Sequence, residues 1–83
     1  MPKIYTVSFS SYDENSTELY GEVCAVFDNY GMANVFAISE VADTLSYYNN
    51  GETVTLDDSI PNEWVITTEN GYAVTYKLQE FTL

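Results

Sequence analysis

Apolar and polar side chains alternate with a period of two over residues 3–10, Tyr5, Val7 and Phe9 against Thr6, Ser8 and Ser10. That alternation predicts a half-buried strand. Ser11 to Thr17 is polar and rich in residues that bond their own backbone, so a loop is expected there. Residues 18–27 predict a second strand, with Leu19, Val23, Ala25 and Phe27 on one face and Gly21 at a bulge or a close backbone approach. Asp28-Asn29-Tyr30-Gly31 reads as a turn. Residues 32–38 support two readings. They can pair back on the second strand, with Phe36 opposite Val23. They can also open a long helix, because Val35, Ile38, Val41 or Ala42, and Leu45 recur at helical spacing. We expect the strand, ending at Ile38. Ser39 is then the helix N-cap, Glu40 lies in the first turn, and the helix runs to about Tyr48. Val41, Ala42, Leu45 and Tyr48 form its buried stripe, with Glu40, Asp43 and Ser46 in water. Asn49-Asn50-Gly51 is the expected stop.

Thr53 to Leu56 predicts a short strand, and residues 57–62 a loop. The chain closes on two β-rich runs around Asn70-Gly71, a strong hairpin signal. A two-residue loop would pair Glu69 with Tyr72 and scatter the apolar residues over both faces. A three-residue loop, with Gly71 left-handed, pairs Thr68 with Tyr72. It gathers Trp64, Ile66, Thr68, Tyr72, Val74, Tyr76 and Leu78 on one face and sets Glu63 opposite Lys77. Because a one-residue slip flips every side chain, the cleaner segregation decides for the longer loop. The expected architecture is α+β, one antiparallel sheet of five or six strands with a single helix packed on one face.

Eighty-three residues make one domain, 1–83. Its core is small, so the eight Tyr, four Phe and one Trp matter to it. No apolar run reaches the ~18–20 residues that span a bilayer, and Met-Pro-Lys-Ile-Tyr has no apolar signal core. Cys24 is the lone cysteine, expected to be a small core residue. A cytoplasmic setting in a bacterial host follows as an expectation.

Charge changes the picture most. Thirteen acidic residues face two basic ones, Lys3 and Lys77, and the net charge is −11. Direct nucleic-acid binding and anionic membranes are disfavoured, because both need Lys and Arg against phosphates. Disorder is disfavoured by the aromatic and β-branched content. Nucleophilic catalysis lacks a base, since there is no His. The acidic pairs Asp13-Glu14 and Asp57-Asp58 lie in polar loops where nothing raises a pKa. Asp13-x-Asn15-x-Thr17 imitates the start of a calcium loop. Its sixth position is Glu18 and its twelfth Cys24, so the pattern fails. Zinc lacks its ligands. A non-enzyme without cofactor or metal is the expectation.

A negative surface binds a positive one, and nucleic-acid-binding proteins carry the strongest. A domain of this length has a radius of gyration of ~12 Å and a face of roughly 25–30 Å, so six or seven carboxylates on one face give about one charge per ~4 Å. One DNA strand carries one per ~3.4 Å of axis. The candidate contact residues are Asp13, Glu14, Glu18, Glu22, Asp28, Glu40, Asp43, Asp57 and Asp58, with Tyr12 and Tyr30 as loop-borne contact area. Charge reversal at Asp13, Glu14, Asp57 and Asp58 is expected to abolish binding and leave the fold intact. Lys3-Ile4-Tyr5, Ser11-Tyr12 and Leu19-Tyr20-Gly21-Glu22 resemble the opening strand pair of the ArdA-type antirestriction proteins, over about twenty residues. That family's long acidic continuation is missing, and the closing hairpin does not belong to it. In size, acidity and lack of catalytic groups the chain is also similar to small phage-encoded anti-CRISPR proteins. Those resemblances imply a DNA mimic whose partner is the basic groove of a Cas or restriction subunit. The alternative is a protein–protein interaction or assembly module whose acidity is incidental.

Overall fold

In the computed structural model, residues 2–15, 17–48 and 53–83 are described. The elements follow as β1 (Lys3–Tyr12), β2 (Glu18–Phe27), α1 (Tyr30–Tyr48), β3 (Val54–Asp57), β4 (Glu63–Thr68) and β5 (Ala73–Thr82). The strands form one antiparallel sheet in the order β2-β1-β5-β4-β3, and α1 packs on it. This is the α+β architecture expected. The chain leaves β2 at one edge and re-enters as β3 at the other. The connection must therefore cross the sheet, and nineteen residues of helix, about 28 Å long, cover the distance.

The core lies between α1 and the sheet. Val7, Ile66, Val74, Tyr76 and Leu78 meet Ala33, Ala37 and Val41. Ala33, Ala37 and Val41 are four residues apart, so they share one helix face. The two alanines let the helix backbone approach the sheet closely. Tyr5, Phe9, Phe27, Phe36, Leu45, Tyr48, Val54 and Trp64 surround this centre. The buried Tyr76 hydroxyl meets the Thr44 hydroxyl at 2.8 Å, tying the helix to β5.

The closing hairpin has the register expected of the three-residue loop. Trp64 pairs with Tyr76, Ile66 with Val74, and Glu63 with Lys77. The Thr68 N–H donates to the Tyr72 carbonyl at 2.9 Å, and Gly71 has φ +89°. A side chain at Gly71 would also meet Glu14, whose Cβ lies 2.9 Å from the position a Cβ would take.

Three expectations are corrected. Residues 32–38 are helix, not strand, and the N-cap is Asn29, not Ser39. The Asn29 side chain accepts the Met32 N–H at 3.0 Å, and its carbonyl accepts the Ala33 N–H at 3.1 Å. Val35 and Ile38, whose helical spacing raised the alternative reading, lie on the outer side of α1 and not in its buried stripe, at 65% and 50% exposure. The buried stripe accordingly begins at Ala33, Ala42 is exposed, and Glu40 is half-buried rather than in water. The expected stop at residues 49–51 lies outside the described residues.

The second correction concerns β2. Its register on β1 slips between Ala25 and Val23 and again between Tyr20 and Glu18, so Cys24 and Leu19 are the extra residues. Each extra residue inverts the alternation. Ala25 and Phe27 therefore face the helix, while Val23, opposite Ser8, faces the other side at 59% exposure. Gly21 is not at either slip; the Glu18 carboxylate lies against it. Third, Cys24 is exposed rather than a core residue.

Ile66→Ala is expected to cost about 2–5 kcal/mol through the cavity it leaves. Gly71→Ala should cost about 1 kcal/mol or more, because its backbone is left-handed. Ile38→Ala, on the outer helix face, should stay within about 0.5 kcal/mol. Urea unfolding reads all three, and an Ile38→Ala loss as large as that of Ile66→Ala would contradict the helix orientation.

Candidate anionic interaction surface

The strand pairing brings one group of acids to one end of the sheet. Tyr12 pairs with Glu18 on one side and Ala73 on the other, and Ala73 pairs with Thr67. The β1–β2 loop and the β4–β5 turn therefore project from the same end, and Glu14 touches the turn at Gly71. Asp13, Glu14, Glu18 and Glu69 are gathered there. Asp13 also builds its own loop. Its Oδ1 accepts the N–H groups of Asn15 at 2.9 Å and Thr17 at 2.8 Å.

A second group lies on the helix side, between α1 and the upper half of β2. The Tyr20 hydroxyl donates to Glu22 at 2.8 Å, and its ring stands 6.1 Å from that of Phe9. The hydrogen bond to Glu22, then that carboxylate's charge, raises the Tyr20 pKa above its ordinary value. From the helix, the charge of Glu40 acts on Tyr76 and Cys24. One turn on, Asp43 joins Phe9, Thr44, Tyr47, Tyr48 and Val74 around a cavity of about 390 Å³. Tyr47 is 77% exposed at its lip. Glu22, Glu40 and Asp43 thus share an aromatic-floored flank that continues toward the loop end.

The remaining acids lie elsewhere. Asp28 follows β2 at the opposite end. Asp57 and Asp58 lie at the end of β3 on the far edge, and Asp57 holds its own turn. It accepts the Ser59 hydroxyl at 2.7 Å and N–H at 3.0 Å, and these bonds lower its pKa. Lys3 pairs with Glu80 at 3.5 Å at the end opposite the loops. Lys77 lies across from Glu63 on the face away from the helix. Lys3 is therefore at the sheet end opposite the loop acids, and Lys77 is on the sheet face opposite Glu22 and the helix acids Glu40 and Asp43. Asp13 and Asp57 both hold the backbone of their loops, so reversal at Glu14, Glu18 and Glu69 separates charge from loop structure more cleanly.

Of the tyrosines expected to offer contact area, Tyr12 is half-buried beside Leu19, Tyr48 and Tyr72 in a second cavity of about 350 Å³. Tyr30 joins helix and sheet. Its hydroxyl donates to the Asn62 side chain at 2.6 Å and its ring stands edge-on to Tyr5. Sequence reasoning missed Tyr72, which shares the core face of β5 but is 47% exposed at the sheet end. It also missed the apolar side chains exposed on α1, Met32 and Val35 on the flank beside β2 and Ile38 on the other flank. The signal was present: no charged residue occurs between Asp28 and Glu40, so the first half of α1 has no strongly polar face.

No family model, no curated protein and no solved structure matches this chain. Among the described residues, no group of three or more acids or cysteines is arranged to hold a metal ion. No helix among the described residues is long and apolar enough to cross a membrane.

Cys24 reports on this flank. Partial burial raises its thiol pKa, and the carboxylates of Glu22 and Glu40 add to the shift. Iodoacetamide labelling should therefore reach half its maximal rate above the ordinary thiol value of about 8.5. Glu40→Gln should move that midpoint to lower pH. An unchanged profile would place Glu40 away from the thiol.

Proposed function

We propose that this protein is a non-enzymatic acidic inhibitor that presents carboxylates in place of phosphates to the DNA- or PAM-binding groove of a bacterial CRISPR or restriction complex. The observation that carries this reading is the separation of charge. Asp13, Glu14, Glu18 and Glu69 at the loop end, with Glu22, Glu40 and Asp43 on the adjoining flank, lie apart from both lysines. Such a concentration favours fast, salt-sensitive association with a Lys/Arg-lined groove. The neighbouring Tyr20, Tyr47 and Tyr72 supply contact area, as tyrosines do in interface centres.

A second reading, an interaction module that binds by packing, is favoured by the exposed apolar side chains of Met32 and Val35 on α1. Salt separates the two, because exposed charges are screened. The direct test is displacement of a labelled DNA duplex from a purified Cas or restriction complex. The variant Glu14→Lys/Glu18→Lys/Glu69→Lys, which spares the loop-holding Asp13 and Asp57, should lose inhibition. Wild-type inhibition should fall steeply between low and moderate salt. Equal inhibition by the reversed variant would refute the mimic reading.

A further inference from the structure

Along one side of the molecule, the edge strand β2 and the adjoining flank of α1 form a wall whose chemistry changes halfway. In its lower half the rings of Phe27 and Phe36 pack at 5.5 Å. With Gly31, Met32, Val35 and Ser39 they line a groove of about 650 Å³. Met32 and Val35 are 60% and 65% exposed. In the upper half the same helical rows continue as acids. Glu40 follows Phe36 by four residues, and Asp43 follows Ser39 by four, so each pair lies on one helix face. On the strand side, Glu22 pairs with Phe9, and Phe9 lines the same cavity as Asp43.

A helix apolar on nearly all sides is ordinarily a buried helix. The outer flank of α1 is exposed, so something of matching chemistry fits it. A second copy of this chain does not. Antiparallel overlay of the whole wall would press Glu22, Glu40 and Asp43 into the partner's apolar groove, where unpaired carboxylates are costly. Overlay of the lower halves alone uses Gly31 to Ser39, about 14 Å of helix. One helix diameter stacked on one sheet layer makes a wall roughly 20 Å high, so that is about 280 Å² per copy, of crystal-contact size. The whole wall, Gly31 to Tyr47, is about 25 Å long. It offers about 500 Å² per partner, which reaches the ~1,000 Å² total of a specific interface.

We propose that this wall docks a partner segment in which a run of apolar side chains is followed by lysines or arginines. The apolar run enters the Phe27–Met32–Val35–Phe36 groove, and the cations reach Glu22, Glu40 and Asp43. The acidic half of the proposal rests on the charge-mimic reading; the apolar half does not.

The test uses a fluorescein-labelled peptide, Phe-Leu-Val-Leu-Lys-Arg-Lys-Arg, titrated with the full chain by anisotropy. Met32→Ser/Val35→Ser and Glu22→Gln/Glu40→Gln should each weaken binding by about tenfold or more. Ile38→Ser, on the other flank of α1, should leave it unchanged. Substituting Glu for the peptide's four basic residues should abolish binding. Loss with the Glu variants and none with the Met32/Val35 variant would leave the mimic reading standing and overturn this one. Loss with the Met32/Val35 variant and none with the Glu variants would overturn both the two-part docking and its link to charge. No binding to the wild type at about 1 mM, a thousandfold above a micromolar contact, also overturns it. So does sedimentation of the free protein as a dimer that Val35→Ser dissolves, since a second copy would then fill the groove.

Discussion

One helix must cover one face of a five-stranded sheet while carrying the chain from one edge to the other. That demand sets most of the structure. It places small residues, Ala33 and Ala37, where the helix lies closest to the strands. It puts the largest fully buried side chains, Ile66 and Val7, beneath them. It also leaves the other sheet face without a covering element among the described residues. That face carries Thr6, Ser8, Ser10 and Thr67, whose hydroxyls tolerate solvent while their branched or short side chains suit a strand, together with Thr75, which is buried.

A core this small has to live with a net charge of −11. The acids are not equivalent in how they do so. Asp13 and Asp57 are spent on their own loops, each accepting two hydrogen bonds from residues just downstream. Glu80 lies against Lys3, and Glu63 opposite Lys77. Asp28, Glu14, Glu18, Glu22, Glu40, Asp43, Asp58 and Glu69 contribute charge rather than backbone support. Most of these lie at the loop end or along the α1–β2 flank. Self-repulsion is therefore concentrated where a cationic partner would relieve it.

The two edges of the sheet differ in the same sense. β3 is four residues long and ends on Asp57. Short, charged edges resist pairing with other chains. β2 is ten residues long, twice interrupted, with Tyr20, Val23 and Val26 exposed. Its slips turn the strand so that Ala25 and Phe27 support the helix while Val23 and Val26 do not. Contact chemistry accumulates on the β2 side of the molecule.

Periodicity and turn chemistry alone determined much of the fold. The alternation in β1, the register of the closing hairpin and the α+β class were legible because each is a local rule acting over a few residues. The left-handed Gly71 and the facing pair Glu63–Lys77 followed from the same arithmetic. The first half of α1 was not legible. Met32, Val35, Phe36 and Ile38 satisfy a strand or a helix equally, and only the need to cross the sheet, with Asn29 free to cap, selects the helix. The exposure of Cys24 was hidden too, because a one-residue slip against β1 is set by the partner strand. The grouping of Glu22 with Glu40, distant in sequence, belongs wholly to tertiary structure: charge is counted along a chain, but its field is set by which surfaces the fold brings side by side.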